Sequence, residues 1–195
     1  VTPRATGSVP AAVSPRRIAA VVVRAVVGTG LVVLGVLALM SVAAFQMREA
    51  WFGAWALEHV FGRPSRTLTT GPTYLYQEVP GDDTSWAGLV VTSECSAAFF
   101  VGGVLVVGGL LVIVWHRSPA VRLLVATAAT IALLLLVNTA RLALLAEAAA
   151  RWGTVGFGWA HTVAGSILMI ATLCLSVIVF VRVGLLRRPQ PNQRA

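Results

Sequence analysis

Three side chains in this sequence are of types that make and break acyl bonds: the thiol of Cys95, the imidazole of His161 and the guanidinium of Arg141. A thiol is a poor nucleophile until it loses its proton, and a neighbouring imidazole or guanidinium favours that loss. A histidine, with an ordinary pKa of about 6.5, can take the proton and later return one to a leaving amine. Attack on a peptide carbonyl develops an oxyanion, which a fixed arginine stabilises strongly where the dielectric is low. An arginine within an apolar helix is costly, about 2.5–3.5 kcal/mol on insertion scales at mid-bilayer, so Arg141 asks for a reason.

The elements that position these residues are membrane helices. The chain is 57% hydrophobic and only 11% charged, with a mean hydropathy of +0.85, whereas a soluble domain usually carries about 25% charged residues. Four long apolar runs, about 25–45, 96–115, 120–146 and 162–183, each approach or exceed the roughly 18 residues that read as a bilayer span. At about 1.5 Å per residue, a bilayer core takes roughly 20 residues. Cys95 precedes His116 and Arg117 by about that number, Arg141 follows Arg122 by about that number, and His161 precedes Arg182 by about that number. All three therefore arrive at one depth, the outer ends of three spans. Polar or small neighbours stand beside each: Ser96 and Glu94, Asn138, and Gly165. Asn138 lies one turn from Arg141 on the same helix face.

The charges set the orientation. The net charge is +8, and all fifteen basic side chains are arginine. Ten of them (Arg4, Arg16, Arg17, Arg24, Arg117, Arg122, Arg182, Arg187, Arg188, Arg194) fall in segments that a four-span chain places on one side. The positive-inside rule makes that side the cytoplasm. The acids Glu49, Glu58, Glu78, Asp82, Asp83, Glu94 and Glu147 fall on the other. Both termini are thus expected in the cytoplasm of a multi-pass plasma-membrane protein, with the reactive residues outside. The basic excess suits anionic inner-leaflet lipid and not a nucleic-acid partner.

The expected fold is all-α, a polytopic helical bundle of about four transmembrane helices with a small extracytoplasmic cap. A Pro-, Ser- and Arg-rich stretch, 1–20, reads as a disordered cytoplasmic tail, 21–185 as one transmembrane domain with its outer cap at 46–94, and 186–195 as a basic cytoplasmic tail. The Arg16-Arg17 pair before an apolar run resembles the start of a secretory signal, but the run is long for one and reads as a retained anchor. In the cap, 46–61 has helical spacing with Trp51 and Trp55 one turn apart, suited to the outer interface. The patches TYLY and GLVVTS are β-prone and lie among turn residues.

Three segments carry a family resemblance. T-S-E-C-S-A-A at 92–98, N-T-A-R at 138–141 and H-T-V-A-G at 161–165 resemble the signature motifs of exosortases and archaeosortases, in the same order and each at the outer end of a span. The resemblance covers about residues 85–170. It implies a membrane cysteine protease or transpeptidase with Cys95 as nucleophile, His161 as acid/base and Arg141 as electrostatic stabiliser, supported by Asn138, Ser96 and Glu94, with no cofactor. It further implies substrates that are secreted proteins ending in a short motif, a transmembrane helix and a basic cluster. These would be cleaved through a thioester and passed to an amine acceptor at the cell surface. The chain departs from the family in having about four spans where many members have about eight, and in Ala97, where Gly is usual after the Cys-Ser pair.

Blander readings stand beside these. Cys174, in mid-span, reads as packing, His59 as interfacial, and His116 as cytoplasmic. Glu94 and Glu147 read as solvated or capping charges, with Arg141 and Arg151 in reach of Glu147 across a turn. A thiol oxidoreductase needs a Cys-x-x-Cys or a second outer cysteine, and Cys174 is half a membrane away. The outer face has no His/Cys/Asp cluster at metal-ligand spacing. A non-enzymatic membrane scaffold or assembly factor is the remaining alternative, and it expects Cys95, Arg141 and His161 to point to different helix faces.

Overall fold

The computed structural model describes residues 15–186. The expected tails lie outside the described residues except at their inner ends, and at the N-terminal end the boundary moves. Helix α1, Pro15–Met40, begins five residues before the tail was expected to stop. Proline suits a first helical position, where no N–H partner is lost, and the arginines and alanines that follow favour helix. The first apolar run is also divided. Ser41, at φ −105° and ψ 37°, ends α1, and α2 follows as Val42–Phe61. Hydropathy does not register that break because the VAAF segment after it is as apolar as the helix before it. Gly62, at φ 66°, closes α2 with its N–H on the Leu57 carbonyl, a left-handed cap that glycine adopts without strain.

Between α2 and the next helix lies a sheet that corrects the all-α expectation. Strands β1 (Ser65–Thr67), β2 (Thr73–Gln77) and β3 (Trp86–Val90) form an antiparallel sheet in the order β1-β2-β3. The two β-prone patches supply β2 and β3, and β1 is added by pairing Ser65 with Tyr76 and Thr67 with Tyr74. Residues of one parity, Tyr74, Tyr76 and Leu89, turn inward onto Ala50, Ala54, Leu57, Leu142, Leu145 and Ala146. The Tyr74 ring is fully buried, and its hydroxyl donates to the Leu142 carbonyl at 2.7 Å.

Helix α3 (Ala98–Val114) packs along α1 through a glycine seam. A Cβ at Gly28 would lie 2.7 Å from the Gly109 carbonyl, and one at Gly35 would lie 2.8 Å from the Gly102 carbonyl. Side chains there would separate two backbones that touch, the usual device for close helix association in lipid. At the far end of α3, Arg24 donates to the Val112, Trp115 and Ser118 carbonyls at 2.9, 2.7 and 2.9 Å. The first two satisfy carbonyls at the end of α3 that would otherwise be orphaned, and the third ties α1 to the turn that follows α3.

Helix α4 (Ala120–Trp159) is broken at Gly153, where φ is 61° and ψ −150°, a backbone region open essentially to glycine alone. A π-helical turn, Ala160–Ala164, then leads into α5, Gly165–Phe180. The two helices are antiparallel, since Gly165 lies against Arg141 and Gly184 against Ala126. Two helical stretches, Arg17–Met40 and Ala120–Leu185, are long and apolar enough to cross a membrane, and Ala98–Val114 is a shorter apolar helix. Only 11% and 17% of the two long apolar windows are buried. Long helices that display their apolar side chains outward suit a lipid environment and not a soluble core.

Candidate functional site

Cys95 ends the turn that joins β3 to α3. Its N–H donates to the Thr92 carbonyl at 3.1 Å, and its side chain is buried beside Tyr74, Leu89, Val91 and Leu142. The sulfur thus sits where sheet, α3 and α4 meet. His161 arrives from the π-helical turn after α4, half-buried, with its ring stacked on Phe157 at 5.4 Å between centroids and 12° between planes. Short π-helical turns inside helices are frequent at functional sites, because the extra residue re-aims side chains. The Cys95 sulfur lies 3.7 Å from His161 Nδ1, within reach of a sulfur hydrogen bond and of proton transfer after slight adjustment.

Arg141 enters the same region from α4. It is buried, and a Cβ at Gly165 would lie 2.8 Å from its Nε and 3.3 Å from its Nη2. Gly165 is one turn past His161, so the guanidinium occupies the space left by that missing side chain. Asn138, one turn before Arg141, is not the residue that holds it. Its Nδ2 donates instead to Glu49 Oε1 at 2.7 Å, and the same oxygen accepts the Ala97 N–H at 2.8 Å. Glu49 thereby ties α2, the first turn of α3 and α4 together immediately behind Cys95. Burial raises the Glu49 pKa above the usual carboxylate value, opposed by hydrogen bonds, including those from Ala97 and Asn138, and by the Arg141 charge. Among the described residues, Glu49 Oε2, Asn138 Oδ1 and Arg141 Nε have no hydrogen-bond partner. Three unpaired polar atoms from one buried group are an unusual density, since buried polar atoms are nearly always bonded.

The sequence reading missed Glu49, counting it only among the outer acids. The signal was present: with Ala50, Gly53, Ala54 and Leu57 it forms the buried stripe of α2, and a carboxylate on an apolar stripe calls for a partner. Of the expected supporting residues, Ser96 is buried and its Oγ accepts the Ala98 N–H at 3.1 Å, steadying the start of α3. Glu94 is exposed and bonds Thr92 at 3.2 Å; it belongs to the solvent side of the turn. Glu147, read as a solvated or capping charge, is buried and takes a bidentate pair from Arg63 at 2.7 and 3.2 Å as well as a bond from Arg151. Cys174 is exposed on α5, His59 stacks on Trp55, and His116 lies beside Val114 at the opposite end of α3. Among the described residues no group of three or more His, Cys, Asp or Glu is placed to hold a metal ion.

Compared with models of protein families, with curated proteins and with solved structures, the chain matches none of them. The chemistry of the site rests on its own geometry. A thiol, a base within reach of its proton, and a buried cation nearby form a set able to attack an acyl carbon and stabilise the resulting oxyanion.

Proposed function

We propose that the protein is a membrane cysteine transpeptidase of the exosortase/archaeosortase kind. It cleaves a peptide at the outer membrane face and passes the acyl part to an amine. The approach of the Cys95 sulfur to His161 Nδ1, 3.7 Å, is the observation that carries this reading. His161 takes the thiol proton, and the thiolate forms a bond to the peptide carbonyl carbon while the carbonyl electrons move onto oxygen. Arg141 stabilises that oxyanion. Collapse breaks the C–N bond, and the leaving amine takes the proton from His161, giving a thioester on Cys95. An acceptor amine then attacks the thioester, loses its proton to His161, and leaves as an amide as the thiol is restored. Water in place of the amine gives hydrolysis.

In this reading the chain crosses the plasma membrane four times, through α1, α3, the first part of α4, and α5. Both termini are cytoplasmic and the sheet lies outside. Arg24, Trp115, Arg117 and Arg122 then gather at the inner face. Substrates are secreted proteins with a C-terminal motif, membrane helix and basic cluster. The scaffold alternative expects the three reactive side chains on different faces, and their approach to one region weighs against it.

The test is Cys95→Ser in a strain that carries a protein with such a C-terminus. Full-length substrate accumulates in the membrane, whereas Cys174→Ser processes normally; ordinary processing by Cys95→Ser removes the enzyme. Orientation is tested by Asp83→Cys, which an impermeant maleimide labels from outside. Labelling only from the cytoplasm overturns the topology and the site with it.

A further inference from the structure

Strand β3 has one edge in the sheet and one edge open. Its pairing with β2 is antiparallel, with Thr73 opposite Val90, Leu75 opposite Gly88 and Gln77 opposite Trp86. The Glu78 backbone N–H donates to the Ser85 carbonyl at 2.7 Å and the Val91 N–H to the Pro72 carbonyl at 2.8 Å. Alternation along an antiparallel ladder then assigns Ala87 and Leu89 to bonds with β2. The N–H and C=O groups of Trp86, Gly88 and Val90 point the other way. No strand pairs with that side of β3 among the described residues. Exposed edges of this kind are usually blunted by proline, lysine or a covering loop, because they template pairing with another chain.

This edge opens onto a cleft. Gly88 and Val90 line a space of about 410 Å³ together with Tyr76, Glu78, Gly153 and Phe157. The far wall is α4 on either side of its break at Gly153, through Ala149, Thr154 and Phe157. Phe157 connects the cleft to the chemistry, because its other role is to stack on His161. On the β3 side, four residues separate Val90 from Cys95. Glu78, exposed at the cleft, forms no salt bridge among the described residues.

We propose that the open edge of β3 binds an extended peptide as a fourth strand, through the outward backbone groups of Gly88 and Val90, with a basic residue of the peptide facing Glu78. Main-chain pairing gives such sites affinity with little demand on sequence, and pockets along the edge add selectivity. The binding claim stands on the edge and the cleft alone; that the peptide is the substrate strand delivered to Cys95 rests on the transpeptidase reading.

The probe is a fluorescein-labelled pool of blocked random peptides about nine residues long, within the usual range for a strand. It is added to the full chain in detergent and read by anisotropy and by amide hydrogen exchange. The pool is expected to bind saturably, with peptides containing Lys or Arg enriched among those retained, and Glu78→Gln abolishes that enrichment. The same pool with every amide N-methylated binds at least about fivefold more weakly, because strand pairing needs the N–H donors. Binding slows exchange at Trp86, Gly88 and Val90, in the wild-type chain and without any substitution. Val90→Pro removes one outward donor but no bond of the β2 ladder, a place where edge strands tolerate proline, and also weakens binding at least about fivefold. Absence of saturable binding, equal binding of the N-methylated pool, or unchanged exchange at those three amides overturns the assignment. Acylation of Cys95 is read separately by mass. Binding with edge protection but no acylation removes the transpeptidase and leaves the peptide edge standing.

Discussion

The sulfur of Cys95 and Nδ1 of His161 lie 3.7 Å apart although 66 positions separate them in sequence. One ends a turn that leaves a strand, and the other sits in a π-helical turn between two helices. No local propensity brings them together. Their meeting requires the sheet to sit on α4 and α4 to reverse at Gly153.

Thiol reactivity follows from that contact. Cys95 should be alkylated by iodoacetamide at neutral pH, and His161→Gln should slow the reaction at least about tenfold by removing the base that receives the proton. Cys174, exposed on α5 and remote from any histidine contact, is the internal reference and should not change. Mass spectrometry of the two cysteine peptides gives both rates from one sample. Equal rates at Cys95 in the two proteins would end the proposed pairing.

Reading depth along apolar runs was enough to put Cys95, Arg141 and His161 near one level, because helix rise is fixed. Helices α3 and α5 begin and end close to the expected runs for the same reason, whereas α4 starts where expected and continues past 146 to Trp159. What hydropathy could not supply was lateral position. Which helix faces meet depends on the α1–α3 glycine seam and on the reversal at Gly153, and neither changes the apolar count. Two of the three strands were legible: the β-prone patches TYLY and GLVVTS marked β2 and β3, whereas β1, the polar SRT segment, is a strand only because the Thr73, Leu75 and Gln77 side of β2 offers it a partner. Buried charges were the least legible. Arg63 and Glu147 look like ordinary surface charges until the partners that bury them are known, and for Glu49 the one signal is the apolar stripe it shares with Ala50, Gly53, Ala54 and Leu57.

Gly165 leaves room for the Arg141 guanidinium, so Gly165→Ala should disturb the site without touching its chemistry. A Cβ there would lie 2.8 Å from Arg141 Nε and 3.0 Å from the Ala160 carbonyl, and overpacking of this kind typically costs about 1–3 kcal/mol. Processing should fall together with thermal stability. Arg141→Lys separates the two effects: it keeps the charge but loses the planar fork of donors, so processing should drop while the melting temperature changes less. Wild-type processing by the lysine variant would reduce Arg141 to a point charge.

Glu49 should give the protein a pH-dependent stability of definite sign. Burial raises its folded pKa above the ordinary 4.5, so the folded state holds this proton more tightly than the unfolded chain. The associated stability is present below that ordinary value and is lost as pH rises through the raised one. Glu49→Gln keeps an acceptor for Ala97 and Asn138 and should flatten the dependence. Glu49→Ala strands the Ala97 N–H and the Asn138 amide and should cost about 1–3 kcal/mol for each buried group left unpaired. Melting temperatures in detergent across pH 4–8 give all three curves. A glutamine variant with the wild-type slope would assign the dependence elsewhere.

The sheet is fastened to α4 by one buried cation, and this is the contact whose loss should be felt most widely. Arg63 gives Nε and Nη2 to Glu147 at 2.7 and 3.2 Å, and its Nη1 to the Gln77 and Glu78 carbonyls at 2.6 and 2.8 Å. Both side chains of the pair are 8% exposed. Removing one member of such a pair usually costs about 3–5 kcal/mol, because the other stays buried and uncompensated. Arg151 remains on Glu147 from the exposed side, so Arg63→Ala should fall toward the lower end of that range. It also takes the donor from two carbonyls at the end of β2, where the sheet turns toward β3 and then Cys95. The expected result is a lower melting temperature, faster proteolysis within 64–94 and slower alkylation of Cys95. Replacing both partners, Arg63→Met with Glu147→Met, removes the uncompensated charge and should be milder than Arg63→Ala alone. A double variant that is the less stable of the two would mean that the charges contribute beyond filling the space, and that the sheet depends on their attraction.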